Sequence, residues 1–314
     1  MRSEFDQMLL DDAVAKGAEL MEETVARELL RDGDAVVGIA AERADGSRVE
    51  LHAPVTIDAS GRDAFAQSRN RWRVPDEKLK KISIWTYCVD AVRDPGIDEG
   101  ATTIAYLPDK GWFWYIALPC DSVSVGIVAD RDYLYRDTRD PGEIFAREVA
   151  IQPWIERHLA PGRLTGRYYV TSDFSYRSRH CSENGLVLTG DAYAFLDPVF
   201  SSGVFLALQG GVLAGDAVDA ALTAGDASAE RFEEYGRRCM RGLEAMRRLV
   251  HAFYDTTFNF ADFLREHPGY RADLTDVLIG NLERDFEPFF AAVSEFADIP
   301  APLEHGLPRV RGGA

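Results

Sequence analysis

The segment Gly185–Leu208, GLVLTGDAYAFLDPVFSSGVFLAL, constrains this 314-residue chain more than any other. Leu186, Val187 and Leu188 form a short apolar run that reads as a strand buried in an α/β sheet. Gly190-Asp191-Ala192 follows at the strand's C-terminal end, where an open α/β sheet places its ligand crevice. Gly190 lets backbone come close to a ligand, and the Asp191 carboxylate can accept hydrogen bonds from sugar or polyol hydroxyls. Pro198 fixes a turn. Ser201-Ser202-Gly203 then opens a helix at Val204, whose free N–H groups make a natural anion site. Gly-Asp alone reads first as a strand-to-helix turn with Asp191 as its cap; the whole unit favours a crevice.

The rest of the chain sorts into three parts. Apolar residues at Phe5, Met8, Leu9, Ala13 and Val14 predict an amphipathic helix over 4–16, stopped by Gly17. Strand signals follow at Ala18–Thr24, Val25–Leu30, Ala35–Arg43, Val49–Ala53 and a buried Pro54–Ile57, with turns at Arg31–Asp34 and Asp45-Gly46. From residue 71 to 180, strands at Ile82–Val89, Thr102–Leu107, Trp112–Leu118 and Ser122–Val128 succeed one another, with a helix at Pro141–Ile151. This is an antiparallel run rather than repeated βαβ. Residues 228–297 read as mainly helical, and the Pro/Gly-rich tail from Pro300 as loose.

Acidic residues number 52 against 35 Lys and Arg, a net charge of −17. That sign disfavours nucleic acid and anionic membrane surfaces, and no basic run exceeds the doublets Arg237-Arg238 and Arg247-Arg248. Cys88, Cys120, Cys181 and Cys239 show no Cys-x-x-Cys pair and no disulfide framework, which points to a reducing cytoplasm. The histidines show no metal-ligand spacing. No apolar run approaches the ~20 residues of a membrane span.

Four segments, in order, carry a resemblance. Gly190-Asp191-Ala192 with Pro198 and Gly203 resembles the second flavin motif of FAD-dependent enzymes of the aromatic-hydroxylase fold. Phe195-Leu-Asp-Pro198-Val-Phe-Ser201-Ser202-Gly203 resembles the Phe-x-Pro-x-x-Ser-x-Gly signature of flavin-dependent halogenases of the phenol and pyrrole branch, with one extra residue before Pro198. Trp112-Phe-Trp114-Tyr-Ile116 resembles their Trp-x-Trp-x-Ile-Pro motif, with Ala117 at the last position and Pro119 two residues on. Asp58-Ala59-Ser60-Gly61 and Arg2-x-x-Phe5-Asp6-x-x-Leu9 resemble two further elements. Unaided, Trp112 and Trp114 read as sheet packing, Asp58–Gly61 as a turn and Arg2 as a solvated helix start.

The resemblance implies an α/β fold: an FAD-binding domain with a mixed sheet (residues 1–70 and 181–227), an antiparallel-sheet substrate domain (71–180) and C-terminal helices (228–314). It implies halogenation of an electron-rich aromatic, phenol- or pyrrole-like and possibly bound to a carrier protein. The implied reagents are O2, chloride or bromide, and reduced FAD supplied by a separate flavin reductase. FAD contacts are implied at Arg2, Val25, Ala59, Gly190 and Asp191, and again at Pro198, Gly203 and Val204. Ser202 and Gly203 are implied to hold the halide, and Trp112 and Trp114 to separate flavin from substrate. Phe200 stands where tryptophan-type members carry Glu, which argues against free tryptophan. Phe253, Tyr254, Phe258 and Phe260 are candidates for pocket lining or for core.

No Gly-x-Gly-x-x-Gly strand–helix unit is present, and the family's catalytic lysine belongs to that part. Lys78, Lys80 and Lys81 read as solvated loop residues. The expectation is a truncated form, poorly soluble or partner-dependent, that holds FAD weakly for want of a pyrophosphate cradle. The alternatives are a monooxygenase or reductase of the same fold, or a non-catalytic remnant or partner subunit.

Overall fold

The computed structural model describes residues 2–107, 111–172, 174–280, 284–303 and 305–310. Two compact units are present, Met1–Thr56 and Ile57–Ala314.

The first unit holds helix α1 (Arg2–Ala15) and a meander of β1 (Thr24–Asp32), β2 (Ala35–Arg43) and β3 (Arg48–His52). Its pairs are antiparallel and joined at the expected turns. Met8, Leu9, Leu10 and Val14 of α1 are all exposed, so the expected burial of one apolar face does not occur. The strand expected over Ala18–Thr24 starts only at Thr24, because Glu23 adopts a left-handed φ of 50° that breaks extension.

The second unit is built on a six-stranded sheet of β6 (Lys81–Val89), β7 (Thr102–Leu107), β8 (Gly111–Leu118), β9 (Ser122–Asp130), β10 (Arg163–Leu164) and β11 (Tyr169–Ser172). The order is β10-β6-β9-β8-β7, with β11 also on β6, and the strands are antiparallel. Alternation gives each face its own chemistry. Ile82, Ile84, Phe113, Val125 and Ile127 point to one core. There they meet Ile144 and Phe145 of α4 (Pro141–Val149) and Ile155 of α5 (Pro153–Leu159). Asp140 caps α4 by accepting from the Glu143 N–H, with Pro141 in its first turn. The opposite face carries Trp112 and Val128, packed with Phe174, Val199 and Val250.

Two small sheets complete the strands. One joins β4 (Thr56–Asp58), β13 (Ser182–Glu183) and β14 (Leu186–Leu188); the other joins β5 (Arg73–Pro75), β12 (Tyr176–Ser178) and β15 (Ala194–Phe195). In β4 the burial is the reverse of the sequence reading: Ile57 is exposed and Asp58 buried, because Asp58 faces inward to organise the next turn. Helix α2 (Phe65–Asn70) follows that turn.

Beyond β15 the chain is mainly helical: α6 (Gly203–Ala224), α7 (Glu233–Tyr254), α8 (Phe260–Glu266), α9 (Arg271–Leu278) and α10 (Glu287–Val293). Met246 and Leu249 of α7 pack with Phe263, Phe289 and Phe290 into a second core. The Arg247-Arg248 doublet is buried and ion-paired, to Glu244 and to Glu287, so it offers no basic stripe. Helix α6 has the length and apolarity of a membrane span, although no run approaching that length was expected from the sequence. Few of its residues are buried and it carries Asp216 and Asp219, side chains that hydrocarbon disfavours. The tail expected to be loose is docked: the Gly306 N–H donates to the Arg179 carbonyl at 2.8 Å and the Arg309 N–H to that of Ser182 at 2.8 Å. Residues 311–314 lie outside the described residues.

Candidate active site

Strand β14 runs into a single 3-10 turn, Gly190–Ala192, entered through a Gly190 φ of +57° that disfavours any larger side chain. The Thr189 N–H donates to the Asp58 carbonyl at 3.0 Å, and the Tyr176 hydroxyl donates to the Asp191 carbonyl at 2.8 Å. The half-buried Asp191 carboxylate has its pKa raised by burial, opposed by Arg62. The adjacent Asp58–Gly61 turn is held by Asp58 itself, which accepts from the Ser60 N–H at 3.0 Å and the Ala66 N–H at 2.7 Å. Asp58 is thus a brace for the backbone, with Ala59 exposed beside it.

Asp197 is the next fixed point. It is buried and accepts from the Val199 N–H at 2.9 Å and the Tyr254 hydroxyl at 3.1 Å. Burial raises its pKa to about 7, against the pull of those two donors and of Lys81. Pro198–Phe200 form one 3-10 turn, and Ser201 then takes a left-handed φ of 52°, a strained conformation of the kind that gathers at functional sites. Ser202 offers no side-chain cap to α6. The first N–H groups of the helix therefore lack the usual side-chain acceptor. Gly190, Asp191, Ser202 and Gly203 share the wall of a narrow cleft of about 60 Å³ with Leu206 and Gln209.

Trp112 and Trp114 lie on one face of β8 with ring centroids 6.0 Å apart. Trp112 packs in one cluster with Val199 and Phe200, and Phe253 bridges the two sides, edge-on to Phe200 at 5.8 Å and to Trp112 at 6.5 Å. The Trp112 indole N–H donates to the Tyr254 hydroxyl at 2.9 Å, which links indole, phenol and Asp197 in one buried chain. The Trp114 N–H donates to Ser124 Oγ at 3.1 Å. Gly126 lies opposite both Trp114 and Trp85, and a Cβ there would come within 2.3 Å of the Trp114 ring. That slot is invisible in sequence.

The lysines divide. Lys78 and Lys80 are exposed and pair with Asp298 and Glu77. Lys81 is buried, contrary to the sequence reading. Its ammonium contacts Asp130 Oδ1 at 2.8 Å and lies 4.1 Å above the Tyr254 ring. The reason is strand parity: Ile82 and Ile84 face the α4–α5 core, so Lys81 and Trp85 fall on the tryptophan face, and extending the alternation by one residue would have shown it. Lys81, Asp130, Tyr106, Phe253, Tyr254, Phe258 and Phe260 surround a cavity of about 600 Å³, which assigns those late aromatics to a wall as well as to the core. Pro198 and Val204 flank the turn and the helix start. Arg2 and Val25 belong to the first unit, where Arg2 pairs with Asp6 at 3.0 Å and Val25 is exposed on β1.

The sequence model of the tryptophan halogenase family matches residues 2–264. The chain belongs to that family. It is 32% identical over 228 residues to a 1H-pyrrole-2-carbonyl-[peptidyl-carrier protein] brominase of Pseudoalteromonas luteoviolacea, covering 72% of this chain and 56% of that protein. It is 33% identical over 187 residues to a sulochrin halogenase of Aspergillus terreus, covering 57% of this chain and 34% of that one. The solved flavin-dependent brominase Bmp2 matches 94% of this chain and 74% of its own, with a TM-score of 0.86 and 26% identity. The chain spans 56%, 47% and 63% of three of the curated relatives it matches. The second-unit residues expected to meet flavin and halide have features that such groups could use: a half-buried carboxylate at Asp191 near Arg62, a helix start without a side-chain cap, and open space where a Cβ at Gly203 would stand.

Proposed function

We propose that this chain carries the catalytic body of an FAD-dependent halogenase acting on an electron-rich aromatic, with chloride or bromide as the halide. The observation that carries the reading is the Pro198–Phe200 turn, which leads into the α6 N-terminus and is tied through Asp197 and the Tyr254 hydroxyl to the Trp112 indole. Bound reduced FAD supplies the oxygen activation; the protein orients, separates and excludes water. Asp191 accepts hydrogen bonds from the flavin's polyol chain. Ser202 and Gly203 direct N–H groups at the halide. Trp112 and Trp114 close the direct path between flavin and substrate, and their fixed indole N–H bonds keep that wall rigid. Residues 1–70 and 181–227 serve the flavin, 71–180 and the α7–α8 aromatics serve the substrate, and a separate reductase delivers the reduced cofactor. Four unpaired cysteines fit a reducing cytoplasmic setting.

The test is turnover: the chain joined to a Gly-x-Gly-x-x-Gly strand–helix unit that carries the family's lysine, with flavin reductase, FAD and O2, a panel of phenols and pyrroles, and with and without bromide or chloride. The expected result is a halide-dependent mass gain on the ring. Oxygen insertion that ignores halide would replace this reading with a monooxygenase.

A further inference from the structure

Away from the turn and the indoles, a buried charged side chain borders a cavity. Lys81 opens β6, and its side chain is 8% exposed, against 57% for its partner Asp130. The cavity of about 600 Å³ that both border is lined by the rings of Tyr106, Phe253, Tyr254 and Phe258, with the polar Asp255, Thr256 and Asn259 beside them. Tyr106 stacks on Phe253 at 5.5 Å, and Phe253 meets Trp112 edge-on at 6.5 Å, so the Phe253 ring stands between the chamber and the indole wall. A lysine ammonium has three N–H donors and no acceptor. Asp130 takes one of them, and the Tyr254 ring engages the cation face-on.

We infer that Lys81 and Asp130 form the orienting end of an aromatic-substrate site that recognises a ring hydroxyl, so that the substrate is a phenol rather than a pyrrole. An aryl hydroxyl satisfies both partners at once: its oxygen accepts from Lys81 and its proton goes to the Asp130 carboxylate. A pyrrole ring donates through its N–H but carries no in-plane lone pair to accept from the ammonium. The flat rings of the wall accept the aryl group, and the bulk of the chamber leaves room for a substituent larger than a single ring. The inference rests on the halogenase reading for its biological meaning, but not for its chemistry.

The experiment is equilibrium binding to the full chain, without flavin or halide, of two probes: 2-naphthol and its methyl ether. Wild-type chain is expected to bind naphthol on the order of tenfold or more tighter than the ether, the scale of one charge-assisted hydrogen bond. Asp130→Ala should erase that preference, because only the hydroxyl donates to the carboxylate, whereas Lys81→Met should weaken both probes, because either oxygen accepts from the ammonium, and Lys81→Arg should restore part of that loss. Tyr106→Ala, at a half-open position, should weaken both probes alike. Equal affinity of the two probes for wild type, a preference that survives Asp130→Ala, unchanged affinity of both probes in Lys81→Met, or indifference of both to Tyr106→Ala would each overturn the assignment. Failure of a bound phenol to be halogenated in the turnover assay would sink the halogenase reading alone.

Discussion

Asp197→Asn probes the buried chain that joins the flavin-side turn to the indole wall. The carboxyl has a pKa of about 7 in the folded protein against an ordinary 3.8. Between those values the folded state holds a proton that the unfolded state has released, so stability falls as pH rises through this window and levels off above it. The full difference of about three pH units corresponds to a destabilisation on the order of 4 kcal/mol at pH 8, a large share of a typical 5–15 kcal/mol. Asparagine keeps the size and can still accept from the Val199 N–H and pair with the Tyr254 hydroxyl, without a charge to bury. Urea titrations of both proteins at a series of pH values check this. The stability of the variant relative to wild type should grow by about 3 kcal/mol from pH 5 to pH 8. A difference that does not change with pH, or that shrinks, would refute the idea that burial holds this carboxyl protonated.

Gly126→Ala puts a methyl group 2.3 Å from the Trp114 ring and should cost about 1–3 kcal/mol in urea unfolding; no loss would show that the slot has slack. Asp76→Ala removes the acceptor 2.9 Å from His251 Nε2 and the carboxylate 3.7 Å from buried Arg247. It should cost about 3 kcal/mol at neutral pH. Burial opposes ionisation of Asp76, but His251 and Arg247 hold its pKa below 3.8, so the variant's deficit should shrink as acid protonates the wild-type carboxyl. Asp191→Asn should weaken FAD binding roughly tenfold by flavin fluorescence titration, the scale of one charge-assisted hydrogen bond; unchanged affinity would leave Asp191 a turn residue. Trp112→Phe deletes the 2.9 Å bond to Tyr254 and should raise the ratio of oxygenated to halogenated product by chromatography while the fold survives.

Much of the scaffold was legible because its signals are local. Hairpin turns at Gly33 and Gly46 and alternation along β6, β8 and β9 set strand limits to within a residue or two. Where local signals compete, the reading slipped. Pro54–Ile57 looked like a buried strand because its residues are apolar, yet β4 turns Asp58 inward to brace a turn that no pattern of hydrophobicity encodes. Lys81 looked solvated because lysines in a polar run usually are. It is buried because the strand begins one residue earlier than its apolar core suggests.

By itself, the sequence determined the motif-bearing turn, the parity that puts both indoles on one face, and the family. Those depend on neighbours along the chain, whose geometry the backbone enforces. The tertiary structure alone decided which groups meet across it: Trp112 with Tyr254, 142 residues apart, Tyr254 with Asp197, 57 apart, and Lys81 with Asp130, 49 apart. Burial of a charge and the width of a slot are properties of packed surfaces. They come into being only when distant segments exclude water together.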